Sequence, residues 1–96
     1  MIKYKGFQVA PAELEALLLT HPAIADAAVI GVPDTEAGEI PRAYVVVRPG
    51  QEVSAVDITA FMEGQVAKYK VIHDVVFIDE VPKSASGKIL RRMLRD

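Results

Sequence analysis

The sequence predicts an α+β domain: a small, mainly three-stranded antiparallel sheet flanked by helices, with a β-hairpin in front. Three observations carry this. Two stretches, 24–32 (IADAAVIGV) and 42–48 (RAYVVVR), are β-branched apolar runs, and a shorter one covers 75–78 (VVFI). Segments with apolar spacings of three and four separate or follow them. Ninety-six residues suffice for one domain that buries roughly 65% of the surface of its unfolded chain.

In chain order, Ile2-Lys3-Tyr4-Lys5-Gly6-Phe7-Gln8-Val9 alternates apolar and polar residues on either side of Gly6, which suits two short strands folded back at Lys5-Gly6. Pro11 is at the favoured first position of a helix, with Glu13 and Glu15 where the helix dipole welcomes acids. Leu14, Leu17 and Leu18 form its apolar stripe, and Thr20-His21-Pro22 stops it. In the first strand Ala27, Val29 and Gly31 fall on one face and Ala28, Ile30 and Val32 on the other, the pattern of a central strand covered on both sides. Thr35–Pro41 reads as a loop leading to an antiparallel second strand. Ser54 with Asp57 is a capping-box-like start for a helix that carries Ile58, Phe61, Met62 and Val66. His73-Asp74 reads as exposed turn chemistry before the third strand, and His21 as a helix C-terminal cap. Ile89, Leu90 and Leu94 give a last helix its apolar stripe beneath several arginines.

Composition excludes several function classes. With no cysteine, disulfides and thiolate metal sites are ruled out, and two histidines are too few for a histidine cluster; no metal-ligand residues are assigned. No apolar run approaches the roughly 20 residues of a membrane span, and the default location is cytoplasmic. The net charge of −2 argues against nucleic-acid binding. Charge is segregated: Lys3 and Lys5 make residues 1–9 +2, residues 10–80 sum to −8, and residues 81–96 sum to +4 through Lys83, Lys88, Arg91, Arg92 and Arg95 against Asp96.

The closing stretch Pro82-Lys83-Ser84-Ala85-Ser86-Gly87-Lys88 is a polar, Gly-containing loop whose small residues leave the Lys88 ammonium free to reach an anion. It is not a phosphate-binding P-loop: position 82 is Pro where that motif needs Gly, and Ile89 stands where it needs Ser or Thr. Taken alone, Lys88 reads as a surface solubility charge.

Read together, the motifs are more specific. Ile2–Glu15 (IKYKGFQVAPAELE) resembles the start of the mobile C-terminal domain of adenylate-forming enzymes: acyl- and aryl-CoA synthetases, firefly luciferases and peptide-synthetase adenylation domains. Asp26-Ala27-Ala28-Val29, Gly31-Val32-Pro33-Asp34 and Gly38-Glu39-Ile40-Pro41 resemble that family's central strand pair, and Pro82–Ile89 with Arg91 its closing lysine motif. The wording is most similar to 4-coumarate–CoA ligases and luciferases.

The resemblance implies an ATP-dependent acid–thiol ligase that works in two steps. A carboxylic acid attacks ATP to give an acyl-adenylate, and the CoA thiol then displaces AMP. It assigns Lys88 to adenylation, Lys3 to the thioester-forming conformation in contact with AMP, Gln8 to a hydrogen bond near the nucleotide, and Lys5-Gly6 to the CoA channel. Arg91 and Arg92 are open between steering CoA phosphates and solvating the last helix, with the second favoured. ATP/AMP and CoA are the implied cofactors, with magnesium held by ligands elsewhere. The implied partner is the chain's own large N-terminal adenylation domain, which residues 1–96 lack, so the chain is expected to be a fragment and inactive alone. Two alternatives share the fold: a stand-alone non-catalytic interaction module, and an adenylation-domain lid serving a carrier-protein pantetheine.

Overall fold

The computed structural model describes residues 1–94. Ile2–Tyr4 (β1) and Phe7–Val9 (β2) form the expected hairpin, with Ile2 opposite Val9, Lys3 opposite Gln8 and Tyr4 opposite Phe7. The two turn residues have φ of 48° (Lys5) and 84° (Gly6). Left-handed conformation at both centres matches the twist of the flanking strands; glycine adopts it freely, while Lys5 meets a steric cost of about 1 kcal/mol.

Pro11–Leu18 is α1. Eight residues are too few for a helix stable by itself in water, so burial of Leu14 and Leu18 must hold it. Ile24–Asp34 (β3) and Gly38–Val47 (β4) pair antiparallel along their length. The loop expected over Thr35–Pro41 is therefore shorter. Asp34 Oδ2 accepts the Glu36 and Ala37 N–H groups at 3.2 and 2.9 Å, which closes the turn early and starts β4 at Gly38. Pro41 falls between the parts of β4 that pair with other strands on its second edge, where a sheet tolerates a missing donor.

Ala55–Met62 is α2, and its start is the expected capping box. Ser54 Oγ accepts the Asp57 N–H at 3.1 Å while Asp57 Oδ2 accepts the Ser54 N–H at 3.0 Å. Hydrogen bonding from Ser54, its backbone N–H first, holds the Asp57 carboxyl below its ordinary value. A depressed carboxyl adds stability above its unfolded pKa of about 3.9 and loses it as pH falls through the folded value. The urea midpoint is therefore expected to fall more steeply between pH 5 and pH 2 in the wild type than in Asp57→Asn, and equal slopes would contradict this.

Asp74–Phe77 is β5, and it pairs with β4 in parallel, Arg42 opposite Asp74 through Val45 opposite Phe77. The sheet is mostly antiparallel as expected, and this one pairing departs from that. Strands running the same way need a long crossover, which the segment containing α2 supplies. The hairpin also joins this sheet, giving five strands in the order β2-β1-β4-β3, with β5 on the β1 side of β4. The α+β class and the three-strand core of β3, β4 and β5 stand as expected, extended by the hairpin.

β3 is an edge strand, not the central one its composition suggested. Both its faces are nonetheless buried. Ala27 and Val29 join Leu14, Leu18, Ile58 and Met62 in the core under the helices, and Ala28 and Ile30 are buried too. On β4, Tyr44 donates its hydroxyl hydrogen to the Leu94 carbonyl at 2.8 Å, tying the end of the chain to the sheet. The last helix is only a 3-10 turn, Arg91–Leu94; its expected continuation through Arg95 and Asp96 lies outside the described residues.

Candidate functional site: a lysine hairpin and a lysine loop

Register puts Lys3 and Gln8 side by side, and period-two alternation points them away from the buried Ile2 and Val9. Both are exposed, and neither side chain has a partner among the described residues. What fixes the hairpin lies in the backbone and in the motif residues of β3 and β4. The Lys3 N–H donates to Glu39 Oε1 at 3.0 Å, and the Lys5 N–H to the Ala37 carbonyl at 2.8 Å. Phe7 stacks on Tyr69, with ring centroids 4.3 Å apart.

Gly31 makes room for this arrangement. A Cβ there would stand 3.0 Å from Glu39 Oε2 and 3.1 Å from Ile2 Cγ1. The Lys5 ammonium lies 5.5 Å from the centre of the Tyr4 ring, within cation–π range. A Cβ on Gly6 would meet nothing within 4 Å, so the domain itself demands glycine there only for its φ.

The second candidate, the closing loop, is less flexible than its composition implied. Ser84 N–H donates to the Lys88 carbonyl at 2.8 Å, Gly87 N–H to the Ser84 carbonyl at 2.9 Å, and Leu90 N–H to the Pro82 carbonyl at 2.9 Å. The Ser84 hydroxyl accepts the Lys88 N–H at 3.2 Å. With Lys83 bridged to Ile89 and Gly87 at φ 86°, residues 82–90 form a tight hairpin-like turn. The Lys88 side chain emerges from it exposed, with no partner among the described residues.

This loop hangs on β3. Lys83 Nζ lies 2.6 Å from Asp26 Oδ2, and Arg91 Nε donates to the Val29 carbonyl at 3.2 Å. The structure thus brings Lys3, Gln8, Lys5 and Gly6 together on the β2-β1 edge of the sheet and tethers the Lys88 loop to the β3 edge. Surface hollows lie elsewhere, one lined by Val46, Phe77 and Asp79 and another by Gly31, Arg42 and Asp74.

Two sequence readings change here. Arg91 does not solvate a helix: its Nη2 lies 2.6 and 2.9 Å from the carboxylate oxygens of Glu15, a buried residue of α1. Asp74 is no free turn residue, because its carboxylate accepts from Arg42 Nε at 2.8 Å. Hydrogen bonds to Tyr44 and then to Asp74 raise the Arg42 guanidinium above its ordinary value. His21 Nδ1 accepts the Ala23 N–H at 3.0 Å, and its ring packs edge-on against Phe61.

Sequence reasoning missed Glu15, Glu39 and Asp26 as structural anchors. The available signal was a charged residue three positions before Leu18 on the buried stripe of α1; its partner is 76 residues away. Among the described residues no group of three or more His, Asp or Glu is arranged to hold a metal, and no helix is long and apolar enough to cross a membrane.

An α+β domain with a lysine hairpin on one sheet edge and a Gly-Lys loop tethered to the other defines the class to which the motifs pointed. The chain belongs to the AMP-binding enzyme C-terminal domain family, whose model matches residues 13–88. That span includes Lys88 and leaves out the hairpin. Relatives cover the hairpin as well. The chain is 59% identical to 4-coumarate–CoA ligase-like 1 of Arabidopsis thaliana over 96 residues, all of this chain and 18% of the relative. It is 60% identical to the peroxisomal OPC-8:0-CoA ligase 1 of the same plant, over 98% of this chain and 17% of that one. Among solved structures, o-succinylbenzoate CoA synthetase of Bacillus subtilis in complex with its acyl-adenylate intermediate superimposes with a TM-score of 0.92 at 40% identity, over 99% of this chain and 19% of that one. The chain therefore spans less than a fifth of the length of these relatives.

Proposed function

We propose that this chain is the mobile C-terminal domain of an ATP-dependent acyl- or aryl-CoA ligase. In this reading Lys88 serves carboxylate adenylation, while Lys3, Gln8 and the Lys5-Gly6 turn serve thioester formation with CoA. The observation that carries it is the separation of Lys3 and Lys88, both exposed and without a side-chain partner among the described residues, onto different edges of one sheet. Each edge can then face the same anionic site in turn, which accounts for positive charge at both ends of an otherwise acidic chain.

The donor set fits ATP, AMP and CoA: exposed ammonium groups and one amide, without hydrogen-bond partners among the described residues, suit phosphate, carboxylate and ribose oxygens. In adenylation the substrate carboxylate attacks the α-phosphorus and the bond to pyrophosphate breaks. Two anionic reactants repel, and charge builds on the phosphate oxygens in the transition state. The Lys88 ammonium neutralises both once domain closure has removed its water. In the second step the CoA sulfur attacks the acyl carbonyl, AMP leaves, and the thiol proton passes to solvent. Lys3 and Gln8 hold the AMP there, and Gly6, with open space around it, lets the pantetheine run close to backbone. Magnesium belongs, in this reading, to the larger domain, and no step here is routed through it.

A lysine with half a site does not turn over, because catalysis needs its reactants held in near-attack geometry. ATP–pyrophosphate exchange is therefore expected from neither this chain nor the separate N-terminal domain of its parent ligase. Mixing or fusing the two should restore it, with an acid preference set by the N-terminal part. Exchange by this chain alone, or none from the fused pair across a panel of aliphatic and aromatic acids, would sink the proposal.

A further inference from the structure

Glu15 is the buried charged residue of this domain among those described, only 7% exposed on a helix otherwise packed through leucines. A carboxylate taken out of water costs several kcal/mol unless it is well paired and hydrogen-bonded. Its surroundings supply that pairing. Oε2 accepts the Val29 N–H at 2.8 Å, and both oxygens accept from Arg91 Nη2 at 2.6 and 2.9 Å. Arg91 Nε in turn donates to the Val29 carbonyl at 3.2 Å. The two side chains thus bind both polar backbone groups of one β3 residue and each other, the job a neighbouring strand would do along this open edge.

Arg91 follows Lys88 by three residues, directly after the turn over residues 82–90 that the Leu90-to-Pro82 and Ser84-to-Lys88 backbone bonds close. The other arm of the loop is held by Lys83 on Asp26, a pair whose partners are 39% and 28% exposed and so the weaker tether. Resting on the assignment of Lys88 to adenylation, we infer that Glu15 and Arg91 form a clasp that positions Lys88 by locking the base of its loop to β3 and α1. They are positioning residues, acting through the loop backbone and not on substrate. A misplacement of about 1 Å in such a lysine can cost on the order of 100-fold in rate.

The test needs a variant that loosens the loop without stranding a buried charge. Arg91→Leu alone leaves Glu15 unpaired and lowers stability; adding Glu15→Gln removes that charge, so the urea midpoint of Arg91→Leu/Glu15→Gln returns toward wild type. In the 96-residue chain, amide exchange of the double variant is expected to quicken at least tenfold at Ser84, Gly87 and Leu90 and to stay unchanged within β3 and β4. In the full-length ligase, ATP–pyrophosphate exchange by the same variant falls about 10- to 100-fold, while conversion of a supplied acyl-adenylate with CoA stays within twofold. Arg91→Lys, which keeps the charge opposite Glu15, recovers part of the lost exchange.

A loosened loop with undiminished adenylation overturns the inference, as do unchanged loop amides or an equal loss in both half-reactions. Lys88→Ala run alongside separates the two readings. If Lys88→Ala adenylates normally, the role given to Lys88 fails. If Lys88→Ala is impaired and the double variant is not, only the clasp fails.

Discussion

Lys88→Ala in the full-length ligase is expected to lower adenylation by about 10²–10³-fold, the usual loss when one preorganised charge stabiliser is removed. Thioester formation from a supplied acyl-adenylate should stay close to wild type. The selectivity follows from where the charges sit. Lys88 leaves a loop tethered to β3, while Lys3 and Gln8 stand on the β1-β2 hairpin across the sheet, so under the proposed function a closure that buries one would withdraw the other. Lys3→Ala should accordingly show the reverse pattern, slowing the CoA step and sparing pyrophosphate exchange. Both side chains are exposed and unpaired among the described residues, so neither change should move stability beyond about 0.5 kcal/mol. A rate loss would then report the chemistry and not the fold. Assaying the two half-reactions separately decides the matter: if both variants fail in the same one, the two-edge account is wrong.

Much of this arrangement could be read from residue order, and the parts that could not share a physical cause. The β1-β2 hairpin was legible because alternation and Gly6 are local signals, and so was the capping box, set by Ser54 and Asp57 alone. The motifs that carry Lys3, Gln8 and Lys88 are each contiguous in sequence, so local residue order suffices to mark these side chains as candidates. Contacts between distant segments were not legible. β5 runs parallel to β4 because of a crossover through α2, and β3, though no strand pairs with its outer edge, has that edge closed at Val29 by the Glu15–Arg91 clasp. Apolar composition reports burial but cannot distinguish a strand neighbour from a side-chain substitute. The stiffness of the Lys88 loop was hidden for a similar reason. Ser84 and Gly87 read as flexible, but in context Ser84 bonds both the N–H and the carbonyl of Lys88.

Leu18→Ala carries the largest expected loss of stability. Leu18 is fully buried in the cluster that holds α1 on the sheet, alongside Leu14, Val29 and Met62. Removing a buried leucine to the β-carbon loses its transfer energy and leaves a cavity, together about 2–5 kcal/mol. Against a total of roughly 5–15 kcal/mol for a domain, the middle of that range is about a third of the margin. The eight-residue α1 has no side-chain cap at Ala10, so packing is its main support. A melting temperature lower by on the order of 10 °C or more is expected, with the urea m-value unchanged. Leu19→Ala is the internal control, since Leu19 is 46% exposed and should cost under about 1 kcal/mol. The effect should also reach the Lys88 loop, because α1 carries Glu15 and a loosened helix weakens the clasp at Arg91. Amide exchange at Ser84 and Leu90 should quicken in Leu18→Ala and stay at wild-type rates in Leu19→Ala. Equal destabilisation by the two substitutions would mean that α1 is not held by the face the structure buries.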